Sequence, residues 1–273
     1  NQDIIAEIID LARLKFLQIK PIITKGFLKS STDYEFIKLK QDTSTLPKHQ
    51  QYLFDQIFKS SDQVKLSKLK GKFHTAFEKA KTLVIESATA KNLFTENPTN
   101  KRIKFFVLTL ILSIPALIIS FSQLNFQNPF PLILIFIQLP LLIILIISMA
   151  RKSAIGSNYY LQSKGLKQVI NRGKWREEIK EKNLFIEEIL PFAIAFGVID
   201  KLSKDMDDLN LKSPDYLPVM ASNFTTSNWI NSFPPQAATT LSYNPSSSSR
   251  SGGSGFSGGS SGGGGGGDGG GSW

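Results

Sequence analysis

Gly255-Phe256-Ser257-Gly258-Gly259 fits the G-x-S-x-G spacing of a nucleophile elbow, in which a sharp strand-to-helix turn exposes a serine hydroxyl. The six glycines from Gly262 to Gly267 meet part of a phosphate-loop pattern, whose backbone N–H groups cradle phosphate. Both motifs lie in Ser/Gly low-complexity sequence, with no strand before them and no helix after them. Neither has the context its chemistry requires. Glu187 and Glu188 are a carboxylate pair, but adjacent helical residues point apart, whereas acid–base work needs two groups converging on one point. They read as part of a solvated face. His49 and His74 are the only histidines and cysteine is absent, which excludes thiol nucleophiles, disulfides, Cys zinc sites and an H-E-x-x-H helix. The sequence predicts a non-enzymatic protein with no catalytic residue, no cofactor and no metal.

The residue types that remain are cationic. Lys65, Lys68, Lys70 and Lys72 form a basic run beside Phe73 and His74, of the kind that contacts phosphates. The run lacks Arg, the usual reader of guanine, so sequence-specific DNA recognition is disfavoured. A face turned to solvent or anionic lipid is the preferred reading, with nucleic acid second. Residues 1–104 hold 19 Lys/Arg against 11 Asp/Glu, and residues 151–273 hold 13 against 11, within a chain of net charge +10. Such an imbalance suits a surface facing anionic headgroups or nucleic acid.

The elements that must position these residues begin with an apolar block. Residues 105–150 contain no charged side chain. Two stretches, 104–124 and 131–150, have the roughly 20-residue length that spans a bilayer as a helix. Between them, residues 125–131 are rich in Asn and Pro, as turns are. The expectation is a two-helix transmembrane hairpin with Pro115, Gln138 and Pro140 at mid-depth, as packing kinks or interhelical contacts. Lys101, Arg102 and Lys104 precede it and Arg151 and Lys152 follow it, so the positive-inside rule predicts both flanks cytoplasmic. The lipid bilayer is the first expected partner.

Before this segment, Ile4-Ile5, Ile8-Ile9, Leu11-Ala12 and Phe16-Leu17 recur at helical spacing, giving an amphipathic helix that Pro21 ends. Ile22-Ile23 and the alternating run from Tyr34 to Lys40 read as short strands. Leu46-Pro47 opens a helix to Phe58, and Val64 to Leu69 precedes a longer one on Phe73, Phe77, Ala80 and Val84. Residues 1–98 thus form a basic, α+β, winged-helix-like module. Residues 151–212 read as a helical region, with Glu178 and Lys182 paired at i, i+4 spacing and a buried or interfacial helix over Ile186 to Ile199. Residues 213–245 form an aromatic, Pro-rich connector in which Tyr216 and Trp229 are candidate headgroup-level or packing aromatics. Residues 246–273 bury too little to fold and are expected to be a disordered tail.

In this order, several features resemble the YciQ-like bacterial predicted membrane proteins. They are Asp10-Leu11-Ala12, the module from Leu66 to Asn97-Pro98, the apolar hairpin, Leu190-Pro191-Phe192-Ala193-Ile194-Ala195-Phe196-Gly197, Pro214-Asp215-Tyr216, and a Ser/Gly tail closing on Gly271-Ser272-Trp273. The chain departs from the pattern at Tyr216-Leu217, where members often carry a Trp-Tyr pair. The resemblance implies a multi-pass protein of the bacterial inner membrane, preceded by an outward β-rich domain and another membrane helix. It supplies no catalytic residues. The functional expectation is a scaffold or sensor-like protein presenting cytoplasmic modules to a protein partner or anionic lipid. A membrane-tethered nucleic-acid binder and an oligomeric transport component are the alternatives.

Overall fold

Isoleucines at i, i+1, i+4 and i+5 cover more than one stripe of a helix, so a helix built on them must be enclosed rather than laid on a surface. A computed structural model, which describes residues 1–25, 30–122, 152–211, 214, 216–217 and 226–245, shows this enclosure. Helix α1 (Gln2–Arg13) buries Ile4, Ile5, Ile8, Ile9 and Leu11 completely. Two strands follow, β1 (Leu17–Lys25) and β2 (Ser30–Lys38), then α2 (Lys48–Ile57), β3 (Gln63–Lys65), the single turn α3 (Leu66–Leu69), α4 (His74–Ala90) and α5 (Pro98–Ser122). After residue 151 come α6 (Ala154–Arg172), the short α7 (Trp175–Glu178), α8 (Lys182–Ala195), α9 (Ile199–Asp208) and α10 (Thr226–Ser242).

The strands form one antiparallel sheet in the order β1-β2-β3, with Leu17 opposite Lys38 and Phe36 opposite Val64. Pro21 does not end the first helix. It sits within β1 opposite Tyr34, and β1 is an edge strand, where a missing N–H removes no bond from an interior ladder. Helix α1 instead stops eight residues earlier in a Schellman motif. Lys15 N–H donates to the Ala12 carbonyl and Phe16 N–H to the Leu11 carbonyl, with Lys15 in the left-handed region at φ 60°. Helices α4, α8 and α9 close in the same way on Asn92, Gly197 and Asn210, residue types that accept this conformation more readily.

Residues Asn1–Tyr243 form one compact unit. Helix α8 lies along α1, burying Ile186, Ile189, Leu190, Ala193 and Ile194, and α10 packs on α1, α3, α4 and the sheet. Trp229, Phe233, Ala237 and Leu241 recur every fourth residue on α10 and are all buried. Trp229 stacks on Phe233 at 4.9 Å, and Phe233 meets Tyr34 edge-on at 5.0 Å. Tyr34 Oη and Ser232 Oγ lie 2.6 Å apart, and Gln236 Nε2 donates to the Thr32 carbonyl at 3.1 Å. The segment expected as a connector therefore holds a core helix, and Trp229 is a packing residue.

Three further expectations are corrected. The two-helix transmembrane hairpin is not found: among the described residues no helix is long and apolar enough to cross a membrane. Helix α5 begins at Pro98 rather than Lys104, so Thr99, Asn100, Lys101, Arg102 and Lys104 occupy its first two turns instead of flanking it. The second stretch, 131–150, and the turn 125–131 lie outside the described residues, as does the tail 246–273. The winged-helix-like module is likewise replaced by a mixed core, because residues 182–242 supply the surfaces that α1 and the sheet pack against. The Glu178–Lys182 pair also fails. Ile179 is extended (ψ 122°), which breaks the helix between the two residues.

Two outcomes are expected. Phe233→Ala should destabilise the protein by about 3–5 kcal/mol, the usual cost of emptying a buried phenylalanine site. Chemical unfolding in neutral detergent measures it, and a loss under 1 kcal/mol would mean that α10 is not part of the core. Lys15→Gly should raise stability by up to about 1 kcal/mol, since glycine takes the left-handed conformation without the Cβ clash.

Candidate functional site

Charge along the chain singles out one region. Between Asn97 and Arg176 there is no Asp or Glu, while Lys101, Arg102, Lys104, Arg151, Lys152, Lys164, Lys167, Arg172, Lys174 and Arg176 all fall there. With 32 Lys/Arg and 22 Asp/Glu in the chain, these ten cations equal its whole net charge of +10. The signal was available to sequence reading in the placement of the acids, not in the count of the bases.

The structure ties the two described ends of this region together. Phe94 and Lys152 form an antiparallel bridge, Ser153 N–H donates to the Leu93 carbonyl at 3.1 Å, and Ser153 Oγ donates to the Asn92 carbonyl. The same serine is the N-cap of α6, its hydroxyl accepting from Gly156 N–H at 2.9 Å. Gly156 is required by this seam, because a Cβ there would lie 1.8 Å from the Leu93 carbonyl oxygen. Helix α6 then runs to Gly173, a left-handed cap at φ 67°. Its far end is held through α7 and α9. Fully buried Asp205 accepts from Lys201 at 2.5 Å and from Arg176 at 3.3 Å, and Trp175 stacks on Phe185 at 5.4 Å.

Anchored at both ends, α6 leaves most of its surface uncovered. Ile155, Tyr159, Tyr160 and Leu161 are about half or more exposed, and Leu161 reaches 64 %. Phe192 on α8 is 52 % exposed beside Phe196, their rings 6.3 Å apart. On α5, Phe106, Val107, Leu108, Ile111, Ile114 and Ile118 are exposed as well. Apolar area on this scale, interleaved with cations, marks an interaction surface. Lys152 Nζ lies over the Tyr160 ring, 3.0 Å from its centre, joining the two kinds of residue. Between α6 and Phe196 runs an open groove of about 490 Å³, its helical wall including Tyr160, Lys164, Lys167 and Asn171.

The other basic residues are distributed differently. Lys65 ends β3, Lys68 lies in α3, and Lys70 and Lys72 flank Gly71; all four lysines are exposed. They are not an unopposed cluster, because the Asp33 carboxylate accepts from both Ser67 N–H and Ser67 Oγ in their midst. Lys70 also lies over the Tyr243 ring at 5.0 Å. Lys101 pairs with Glu96 at 3.1 Å, and Arg102 and Lys104 are exposed. Pro115 falls within α5, whereas Gln138, Pro140 and Arg151 lie outside the described residues.

A second polar feature, between α1, α2 and α8, is structural in character. Gln50 Nε2 donates to Glu7 and Asp10, both at 2.8 Å, His49 Nε2 lies 3.3 Å from Glu7, and Arg13 bridges Asp10 to Glu188. Glu188 is thus a surface ion-pair partner, and the Glu187 carbonyl accepts from the Tyr216 hydroxyl at 3.0 Å. Burial pushes the Tyr216 phenol far above its ordinary range, so it stays a neutral donor. Among the described residues no three His, Asp or Glu side chains gather as metal ligands would.

The sequence matches the family described as "Predicted membrane protein (DUF2207) C-terminal domain" over residues 1–206. The chain belongs to that family, which places it at a membrane. No curated protein and no solved structure matches it.

The backbone seam at Gly156 gives a direct test of how α6 is placed. Gly156→Ala should lower stability by about 1–3 kcal/mol, as overpacking against backbone does, because neither Leu93 nor the helix can move aside. Ser153→Ala should cost about 1 kcal/mol through the lost cap. Thermal unfolding of both variants in one detergent checks the order.

Proposed function

We propose that this chain is a non-enzymatic scaffold on the cytoplasmic face of the bacterial inner membrane, with the α5–α6 surface seated on anionic lipid and the mixed core of Asn1–Tyr243 displayed to a protein partner. One observation carries the reading: the acid-free run from Asn97 to Arg176 combines ten cations with exposed aromatic and aliphatic side chains. Cations near a negative leaflet contribute about 1 kcal/mol each, and amphipathic aromatics such as Tyr159 and Tyr160 favour the headgroup level. Nucleic acid would draw on the same charge. It gains nothing from exposed Ile155, Leu161 and Phe192, and the Lys65–Lys72 run, for which nucleic acid is the second reading, surrounds a carboxylate.

Partition of the full chain between neutral and anionic vesicles tests this reading. Vesicles with roughly one-third phosphatidylglycerol should be preferred over pure phosphatidylcholine by tenfold or more, and salt should shrink the preference as it screens the charges. Replacing Lys101, Arg102, Lys104, Lys164 and Lys167 with Gln should remove most of it. Equal partition of the wild-type chain into both vesicles would exclude a lipid-binding role for this face.

A further inference from the structure

The groove along α6 is more selective in its lining than a general basic surface. Tyr160, the pairs Ser163-Lys164 and Lys167-Gln168, and Asn171 recur at helical spacing and share one helix face, with Phe196 opposite. Lys164 and Lys167 bring two ammonium groups within a turn of each other, and the lining contains no carboxylate. Around them Ser163, Gln168 and Asn171 offer neutral groups that both donate and accept hydrogen bonds. We propose that this groove binds the headgroup of an anionic glycerol phospholipid: one phosphodiester flanked by neutral hydroxyls. The proposal rests on the reading of α5–α6 as the lipid-facing surface and adds the class of headgroup it selects.

Three features of the groove point to this chemistry. The lysine pair is opposite in sign to a phosphodiester, and a headgroup carrying its own ammonium would bring a third cation into a lining that has no acid to pair with it. Discrimination by an unpaired charge is stronger than discrimination by a missing contact. The volume, about 490 Å³, falls in the range of small-molecule sites and exceeds what a lone phosphate ion would fill. Phe192, 52 % exposed beside Phe196, supplies an apolar shelf. A free headgroup has no use for that shelf, but a lipid can lay the start of its acyl chains on it.

The test uses the full chain in neutral detergent, titrated calorimetrically with dioctanoyl phosphatidylglycerol, dioctanoyl phosphatidylserine, dioctanoyl phosphatidylcholine and the chain-free headgroup glycerophosphoglycerol. Phosphatidylglycerol should bind about tenfold more tightly than phosphatidylserine, and the chain-free headgroup more weakly than the lipid. K164Q/K167Q should weaken phosphatidylglycerol at least tenfold. Q168L/N171L should retain anionic-lipid binding but lose the preference between the two lipids. F192A should weaken the lipid and leave glycerophosphoglycerol unchanged. The five side chains replaced in these variants are exposed, so they leave the core intact. Equal affinity for phosphatidylglycerol and phosphatidylserine, both above phosphatidylcholine, would overturn the headgroup assignment while leaving the lipid reading standing. Equal affinity for all three lipids would overturn both. A chain-free headgroup as tight as the lipid would show a phosphoryl site unconnected with the bilayer.

Discussion

Everything else in the structure follows from the enclosure of α1. A 12-residue helix with Ile4, Ile5, Ile8, Ile9 and Leu11 all removed from solvent cannot be satisfied by a sheet on one side. At about 25 cal/mol per Å² of apolar area, burying the second face stabilises as much as burying the first. The residues that cover it come from the far end of the chain, Ile186 to Ile194 on α8 and Ile230 on α10. The polar stripe Glu7, Asp10, Arg13 is matched by Gln50, His49 and Glu188. The polar seam fixes register between three helices, while the apolar faces supply the energy.

Because α1 draws its cover from residues beyond 180, the described parts of α5 and α6 form an excursion from that enclosure, and Ile170 and Trp175 return the chain to the core. The bridge between Phe94 and Lys152 pins its roots side by side. The excursion carries the chain's unbalanced charge, and its described parts expose much of the apolar surface. The core outside it has equal numbers of acids and bases. This division separates a neutral folded body from a cationic, apolar attachment.

Local periodicity made α1, α2, α4 and the alternating part of β2 legible from sequence. Tyr34 and Phe36 both bury inward, where alternation puts them. What escaped reading were elements interrupted by proline. Pro21 in β1 is tolerated because the strand is at an edge, and a sequence does not state which strand is the edge. Pro234-Pro235 in α10 masked the stripe Trp229, Phe233, Ala237 and Leu241, which has helical spacing and is strong enough in packing to outweigh two lost N–H donors. The groove on α6 was illegible for another reason: its wall is completed by Phe196, a residue that only tertiary packing brings there. The bilayer hairpin was over-read from apolar length: among the described residues no helix is long and apolar enough to cross a membrane.

The wrapping of α1 by α8 and α10 also sets an order of events during synthesis. When residue 96 leaves the ribosome, the chain has the residues of α1 to α4 and of the sheet but not the surfaces that cover α1. At roughly 5–20 residues per second, α10 follows only about seven to thirty seconds later. The apolar stretch from 105 emerges within that interval, while the head is still open and has nothing finished to hold it back. Closure of the core therefore comes last, after the cationic excursion has met whatever surface it is going to meet, and the fold itself acts as a clasp that shuts behind that encounter.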